Sequence, residues 1–159
     1  MVSDDFDKII SRILFEARKP GPEHERLKKQ LAAWAVAKGY VVEYSGFNNG
    51  AKPDVLRGTK DEKNLLVGDA KDSKNETPNN RQTVSRIRGY IEAFGDSLGT
   101  PGYEGGIITI ATNSLQSAKE WVECLNILVL NAGITDSKKN KPNFKIVKIK
   151  SSKTWIVYW

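Results

Sequence analysis

The stretch Leu65-Leu66-Val67-Gly68-Asp69-Ala70-Lys71 opens apolar and ends on an acid and a lysine, and this ending constrains the fold more than any other feature of the chain. Alternate side chains of a strand share a face, so Asp69 and Lys71 project to one side, on the row that carries Leu65 and Val67. A charge on a core-facing row is costly unless it is paired or bound to a metal. Pro53 to Arg57 reads as the preceding strand, joined to Asn64 to Lys71 by the polar turn Gly58 to Lys63, and such a hairpin brings Asp54 to the same end. Two carboxylates, Asp54 and Asp69, with the Ala70 backbone carbonyl and waters make an oxygen site suited to magnesium, which takes few protein ligands and keeps several waters.

The rest of the chain supplies helices and strands in alternation. Ser3 can cap a first helix with Phe6, Ile9, Ile10, Ile13 and Leu14 at helical spacing, ended by Lys19-Pro20-Gly21-Pro22. A second helix from about Glu23 to Lys38 places Leu27, Leu31, Trp34 and Ala35 on one stripe, and Gly39 occupies the position of a left-handed C-terminal cap. Tyr40 to Ser45 reads as a strand. Thr77 and Pro78 open a third helix carrying Val84, Ile87, Tyr90, Ile91 and Phe94 as far as Gly95. Gly105-Gly106 introduces the strand Ile107 to Ala111, and Asn113 or Ser114 caps a fourth helix through about Leu130. Phe144 to Lys150 and Thr154 to Trp159 finish as strands. Helices interleaved with strands must cover the faces of a sheet, so an α/β sandwich with a mixed central sheet is expected.

A chain of 159 residues with 39% hydrophobic side chains has the makings of one core, a single domain over residues 1–159 with 1–19 as an N-terminal helix packed on or appended to it. No apolar run approaches the ~20 residues that span a bilayer, so no membrane partner is expected. The lone Cys124 can form neither an internal disulfide nor a cysteine zinc site, and a cytoplasmic location fits. It belongs with Trp121, Leu125 and Leu128 on an apolar helix face. The net charge of +6 favours a polyanionic partner, although the run Lys138, Lys139 and Lys141 reads as a solvated loop.

At Pro53-Asp54 and Asp69-Ala70-Lys71, fifteen residues apart, the sequence resembles the PD-(D/E)xK nuclease superfamily, which includes restriction enzymes, Holliday junction resolvases and repair exonucleases. The block Gly105 to Thr112, followed by Ser117-Ala118, is similar to the late strand and helix of its Mrr-like branch, from which Asp69 departs by standing where Glu or Gln is common. The resemblance implies a restriction endonuclease-like α/β sandwich and a magnesium-dependent nuclease, an endonuclease acting on DNA, with manganese able to replace magnesium. In such families an upstream acid completes the metal site. Glu23 and Glu25 are both candidates, and Glu23 is preferred because it lies one turn before Leu27 on the core-facing stripe. Lys71 would orient the attacking water and neutralise developing charge. Gln82, Arg86 and Tyr90 are spaced by four on one helix face, and the resemblance implies that Gln82 and Arg86 contact substrate, Arg86 through a phosphate.

The alternatives are an RNA-cleaving effector on the same fold and a catalytically inactive nucleic-acid-binding module. A homodimer would serve for cutting both strands, with the apolar C-terminal strand as one place for its interface. His24, the only histidine, reads as a surface residue at a helix N-terminus. Trp155, Tyr158 and Trp159 alternate in the final strand and read as packing or dimerisation residues rather than as platforms for bases.

Overall fold

The structure, a computed structural model, describes residues 21–45, 55–99, 102–135 and 139–159. The N-terminal helix expected within residues 1–19, the segment Gly46 to Ala51 and Asp54 lie outside the described residues. Within them the order is α1 (Pro22–Ala37), β1 (Val41–Ser45), β2 (Val55–Lys60), β3 (Asn64–Lys71), α2 (Arg81–Asp96), β4 (Gly105–Thr112), α3 (Leu115–Asn131), β5 (Lys145–Lys148) and β6 (Trp155–Tyr158). The strands form one six-stranded mixed sheet in the order β1-β2-β3-β4-β6-β5. Only β3 and β4 run parallel, joined by a crossover through α2, and every other neighbouring pair is antiparallel.

The alternation along β3 divides the core into two layers. Leu65 and Val67 face a cluster that includes Ile87, Ile91 and Phe94 of α2 and Trp121 and Leu125 of α3. Leu66 faces the opposite cluster, with Leu31 and Ala35 of α1, Leu56, Ala111 and Ile156. The architecture is therefore α1 on one face of the sheet and α2 with α3 on the other. Each fully buried leucine of these layers stabilises the fold by roughly 1.5–3 kcal/mol relative to exposure. Gly68 lets α1 approach closely, because a Cβ there would come within 2.7 Å of Thr109 Cγ2 and 3.3 Å of Leu31 Cδ2.

Local chemistry sets the element ends. Gly39, with φ +94°, follows the last helical turn of α1. Its N–H donates to Val36 O at 2.9 Å and that of Tyr40 donates to Ala35 O at 3.2 Å, the paired bonds of a Schellman cap. The β2–β3 turn places Asp61 and Glu62 in the left-handed region, with φ of 55° and 58°. Helix α2 starts three residues later than Thr77-Pro78 suggests. Asn80 is its cap, its Oδ1 accepting from Gln82 N at 2.9 Å and Thr83 N at 3.2 Å, whereas Thr77 Oγ1 serves only a local turn to Asn79 N. Ser114, not Asn113, caps α3.

The C-terminal strand does not lie at an edge. Strand β6 is bonded on both sides, to β4 and to β5, so its backbone is not open to a symmetric partner, and the outer strands are β1 and β5. Trp155, Tyr158 and Trp159 pack against the two core clusters. Among the described residues no helix is long and apolar enough to cross a membrane.

Candidate active site

The end of β3 carries the charge that its sequence requires to be neutralised. Asp69 and Lys71 are 2% and 3% exposed. Asp69 Oδ1 accepts from the Ala70 N–H at 2.8 Å. Its Oδ2 lies 3.0 Å from Lys71 Nζ as an ion pair, but without the alignment of a hydrogen bond, and no other hydrogen-bond partner reaches it. Lys71 Nζ instead donates to Glu76 Oε2 at 2.9 Å. The second oxygen of Glu76 lies 3.5 Å from His24 Nδ1, and the His24 side chain is 14% exposed. The four groups form a linear array, Asp69, Lys71, Glu76 and His24, which joins the sheet end to the first turn of α1.

Their ionisation follows from this order. Burial pushes the Asp69 carboxyl above the ordinary range, against the pull of Lys71. Burial works against the Lys71 ammonium too, but Asp69 and Glu76 together outweigh it and hold its pKa up. Burial also opposes the Glu76 carboxylate, yet the hydrogen bond from His24 and the charge and hydrogen bond of Lys71 bring its pKa down to about 2. Glu76 in turn raises the pKa of His24. Lys71 is thus a cation held between two carboxylates, hydrogen-bonded to Glu76 Oε2 and ion-paired with Asp69 Oδ2.

The loop that delivers Glu76 is braced from β4. Asn113 Oδ1 accepts from Ser73 N at 2.9 Å and Asn113 Nδ2 donates to Asp72 Oδ1 at 3.1 Å. The Glu76 N–H donates to Asp72 O at 2.8 Å, which tightens the turn.

The other residues read from the sequence are placed differently. Glu23 does not turn to the core: its Oε1 accepts from Arg26 Nε, its side chain is 40% exposed, and Arg26 in particular holds its carboxyl below the ordinary range. Arg26 continues to Thr154 Oγ1 at 2.7 Å and Lys153 O at 3.0 Å. Glu25 pairs with Lys28 at 3.7 Å. Gln82 and Arg86 are exposed on α2, while Tyr90 is half-buried and lines, with Asp69 and Ile87, a cavity of about 10 Å³, room for a single water at most. Across the hairpin Val55 pairs with Asp69, and Asp54 is the residue before it, outside the described residues. Among the described residues no three His, Cys, Asp or Glu side chains converge to hold a metal ion.

Two members of the array, His24 and Glu76, were not assigned to the site from sequence. His24 is a correction, since it is largely buried and faces Glu76 and not water. Glu76 has one sequence signal, a buried strand-end lysine that needs a carboxylate within a short turn, and it stands five residues beyond Lys71. Compared with protein-family models, curated proteins and solved structures, the chain matches none.

Proposed function

We propose that the chain is a magnesium-dependent endonuclease that hydrolyses DNA phosphodiester bonds on a restriction endonuclease-like α/β sandwich. The observation that carries this reading is the Asp69 carboxylate, fully buried at the end of β3 with Oδ2 lacking a hydrogen-bond partner and Lys71 beside it. A buried carboxylate oxygen without an aligned donor costs free energy that an arriving cation would recover. The donor chemistry fits a hard cation. Asp69 and the Ala70 carbonyl supply oxygen ligands, and consecutive Cα atoms about 3.8 Å apart keep Asp54 next to Val55, the ladder partner of Asp69.

Asp54, Asp69 and the Ala70 carbonyl would hold magnesium, or manganese in its place, and the bound ion would supply Lewis-acid polarisation of the phosphate and a more acidic water. Lys71 holds its proton firmly at Nζ, so it acts as a fixed positive charge that orients the attacking water and offsets the charge developing on the phosphoryl oxygens. Glu76 aims that ammonium. Glu23 would join the metal only by exchanging Arg26 for it.

A second reading, a catalytically inactive nucleic-acid-binding module, is favoured by the commitment of Lys71 to Glu76 and of Glu23 to Arg26. The test is single-turnover cleavage of labelled plasmid, linear duplex, single-stranded DNA and RNA, with magnesium or with chelator. Wild type should cut DNA only with the metal. Asp69→Asn should fold and lose cleavage, since it replaces an anionic ligand by a near-isosteric neutral group. Lys71→Arg should lose ~10²–10³ in rate, by analogy with removal of a preorganised electrostatic group. Lys71→Ala is the poorer variant, because it leaves the buried Asp69 without its ion-pair partner and Glu76 with His24 alone, and would cost about 3–5 kcal/mol of stability. Cutting of RNA alone would move the reading to an RNA-cleaving effector. Metal-independent cutting, or an Asp69→Asn enzyme at the wild-type rate, would sink the proposal.

A further inference from the structure

Positive charge is distributed very unevenly along the chain. From Lys138 to Lys153 there are seven lysines, and from Ser137 to Trp159 there is no acid. Taking those seven from the 25 Lys and Arg of the whole chain leaves 18 against all 19 Asp and Glu. The net charge of +6 therefore comes entirely from the β5–β6 hairpin and the segment leading into it, and the remainder of the protein is almost neutral.

Lys139, Lys141, Lys145, Lys148, Lys150 and Lys153 are all exposed. Among the described residues no carboxylate pairs with any of them, and Lys148 Nζ lies 5.6 Å from the Trp155 ring centroid. Lysines on an outer strand discourage edge-to-edge pairing, which accounts for Lys145 and Lys148. It does not account for Lys139, Lys141, Lys150 and Lys153, which lie outside the strand, nor for the absence of acids that would relieve their mutual repulsion.

The sheet register ties this surface to the candidate site. Lys148 pairs with Trp155, Trp155 with Thr112, and Thr112 with Lys71, so one row crosses four strands. Three strand spacings separate the ends of that row, roughly 14 Å at about 4.8 Å each. The turn after β5 accordingly lies at the same end of the sheet as Asp69. It is also anchored there, because Lys153 O and Thr154 Oγ1 accept from Arg26, two residues from His24 on α1.

We propose that residues 139–153 form the surface on which the backbone of a nucleic-acid duplex docks, with Lys148, Lys150 and Lys153 at phosphates of the segment presented to Asp69 and Lys71. The choice of nucleic acid as the polyanion rests on the nuclease reading; the charge and the register do not.

The test is anisotropy titration of a dye-labelled duplex by the full chain, in chelator so that cleavage plays no part, across a range of sodium chloride. The variants are the triple Lys148→Gln, Lys150→Gln, Lys153→Gln, the same three positions as Arg, and the pair Lys60→Gln, Lys63→Gln at the opposite end of the sheet. The Gln triple should bind at least tenfold more weakly, with a salt slope smaller by about 2.7 for three lost phosphate contacts, while the Arg triple and the Lys60/Lys63 pair keep the wild-type slope. Should the Gln triple melt early, Lys150→Gln alone carries the test, with a slope smaller by about 0.9. Unchanged binding by the Gln variants, or an equal loss from the Lys60/Lys63 pair, would overturn the assignment. So would a wild-type protein that ignores the duplex and binds phosphatidylserine vesicles. A protein that binds duplex through these lysines but never cuts it with magnesium would uphold the surface and remove the nuclease reading.

Discussion

Glu76 balances the charge of the array, and its titration makes the array measurable. Its pKa stands near 2 in the fold against an ordinary 4.5, so the folded state favours the ionised form. That contribution is fully present above pH 4.5 and is lost as pH falls through about 2, and at 1.36 kcal/mol per unit it is of order 3 kcal/mol. Asp69 works in the opposite sense, because burial raises its pKa and its protonation on acidification relieves the fold. His24, raised by Glu76, contributes below its ordinary 6.5 and loses that contribution as pH rises through its folded value. Glu76→Gln should therefore be less stable than wild type by the largest margin between about pH 4.5 and 6.5, and the margin should close toward pH 2. Urea unfolding of both proteins at several pH values reads this directly, and a margin constant from pH 7 to 3 would exclude it. Asp69 and Lys71 were legible because the two-residue period of a strand is geometric: once Leu65 and Val67 face the core, so do they. Glu76 sits in a turn without a period. The burial of His24 depends on that turn folding back against α1, which nothing local to Pro22-Glu23-His24-Glu25 encodes.

At the scale of the element, each boundary records a competition between local signals. Thr77-Pro78 and Asn80 both offer a helix start, and Asn80 prevails because its Oδ1 reaches both Gln82 N and Thr83 N. Asn113 and Ser114 compete in the same way, and Asn113 is taken by Asp72 and Ser73. Gly39 had no rival, since only its left-handed conformation lets the chain leave α1 and enter β1 within a few residues. Gly39→Ala should cost about 1–2 kcal/mol, because a Cβ is disfavoured at φ +94°, and it would also press on Lys60 Cε at 3.2 Å, a flexible contact that can yield. The expected reading is a lower urea midpoint with an unchanged slope. A midpoint equal to that of wild type would mean that α1 ends in another way.

Over the whole molecule, the alternation of elements was readable and their arrangement in the sheet was not. Local periods reveal that β6 is a strand, but not that it inserts between β4 and β5, because that placement depends on pairing across about fifty residues of chain. The C-terminal strand, one place for a homodimer interface on the sequence, therefore offers no open backbone edge. Besides its pairing with β4, the inserted hairpin is tied to α1 at the site end by Arg26. Its guanidinium donates to Glu23 and Gln30 on its own helix and to Thr154 Oγ1 and Lys153 O more than a hundred residues away. Thr154 is completely buried and its hydroxyl also donates to Gln30 Oε1, so α1 and the β5–β6 turn share one hydrogen-bond network. Groups in such a network do not add independently. Arg26→Ala and Thr154→Val should each destabilise the protein, and a double-mutant cycle between them should give a coupling of about 0.5–3 kcal/mol. Both variants keep Lys148, Lys150 and Lys153, so duplex affinity measured in chelator separates the position of the hairpin from its charge. If Arg26 positions it, Arg26→Ala should weaken duplex binding several-fold, more than removal of a single remote positive charge at Lys60. Additive stabilities within about 0.3 kcal/mol, with affinity no weaker than that of Lys60→Gln, would show that the hairpin is held by the sheet alone.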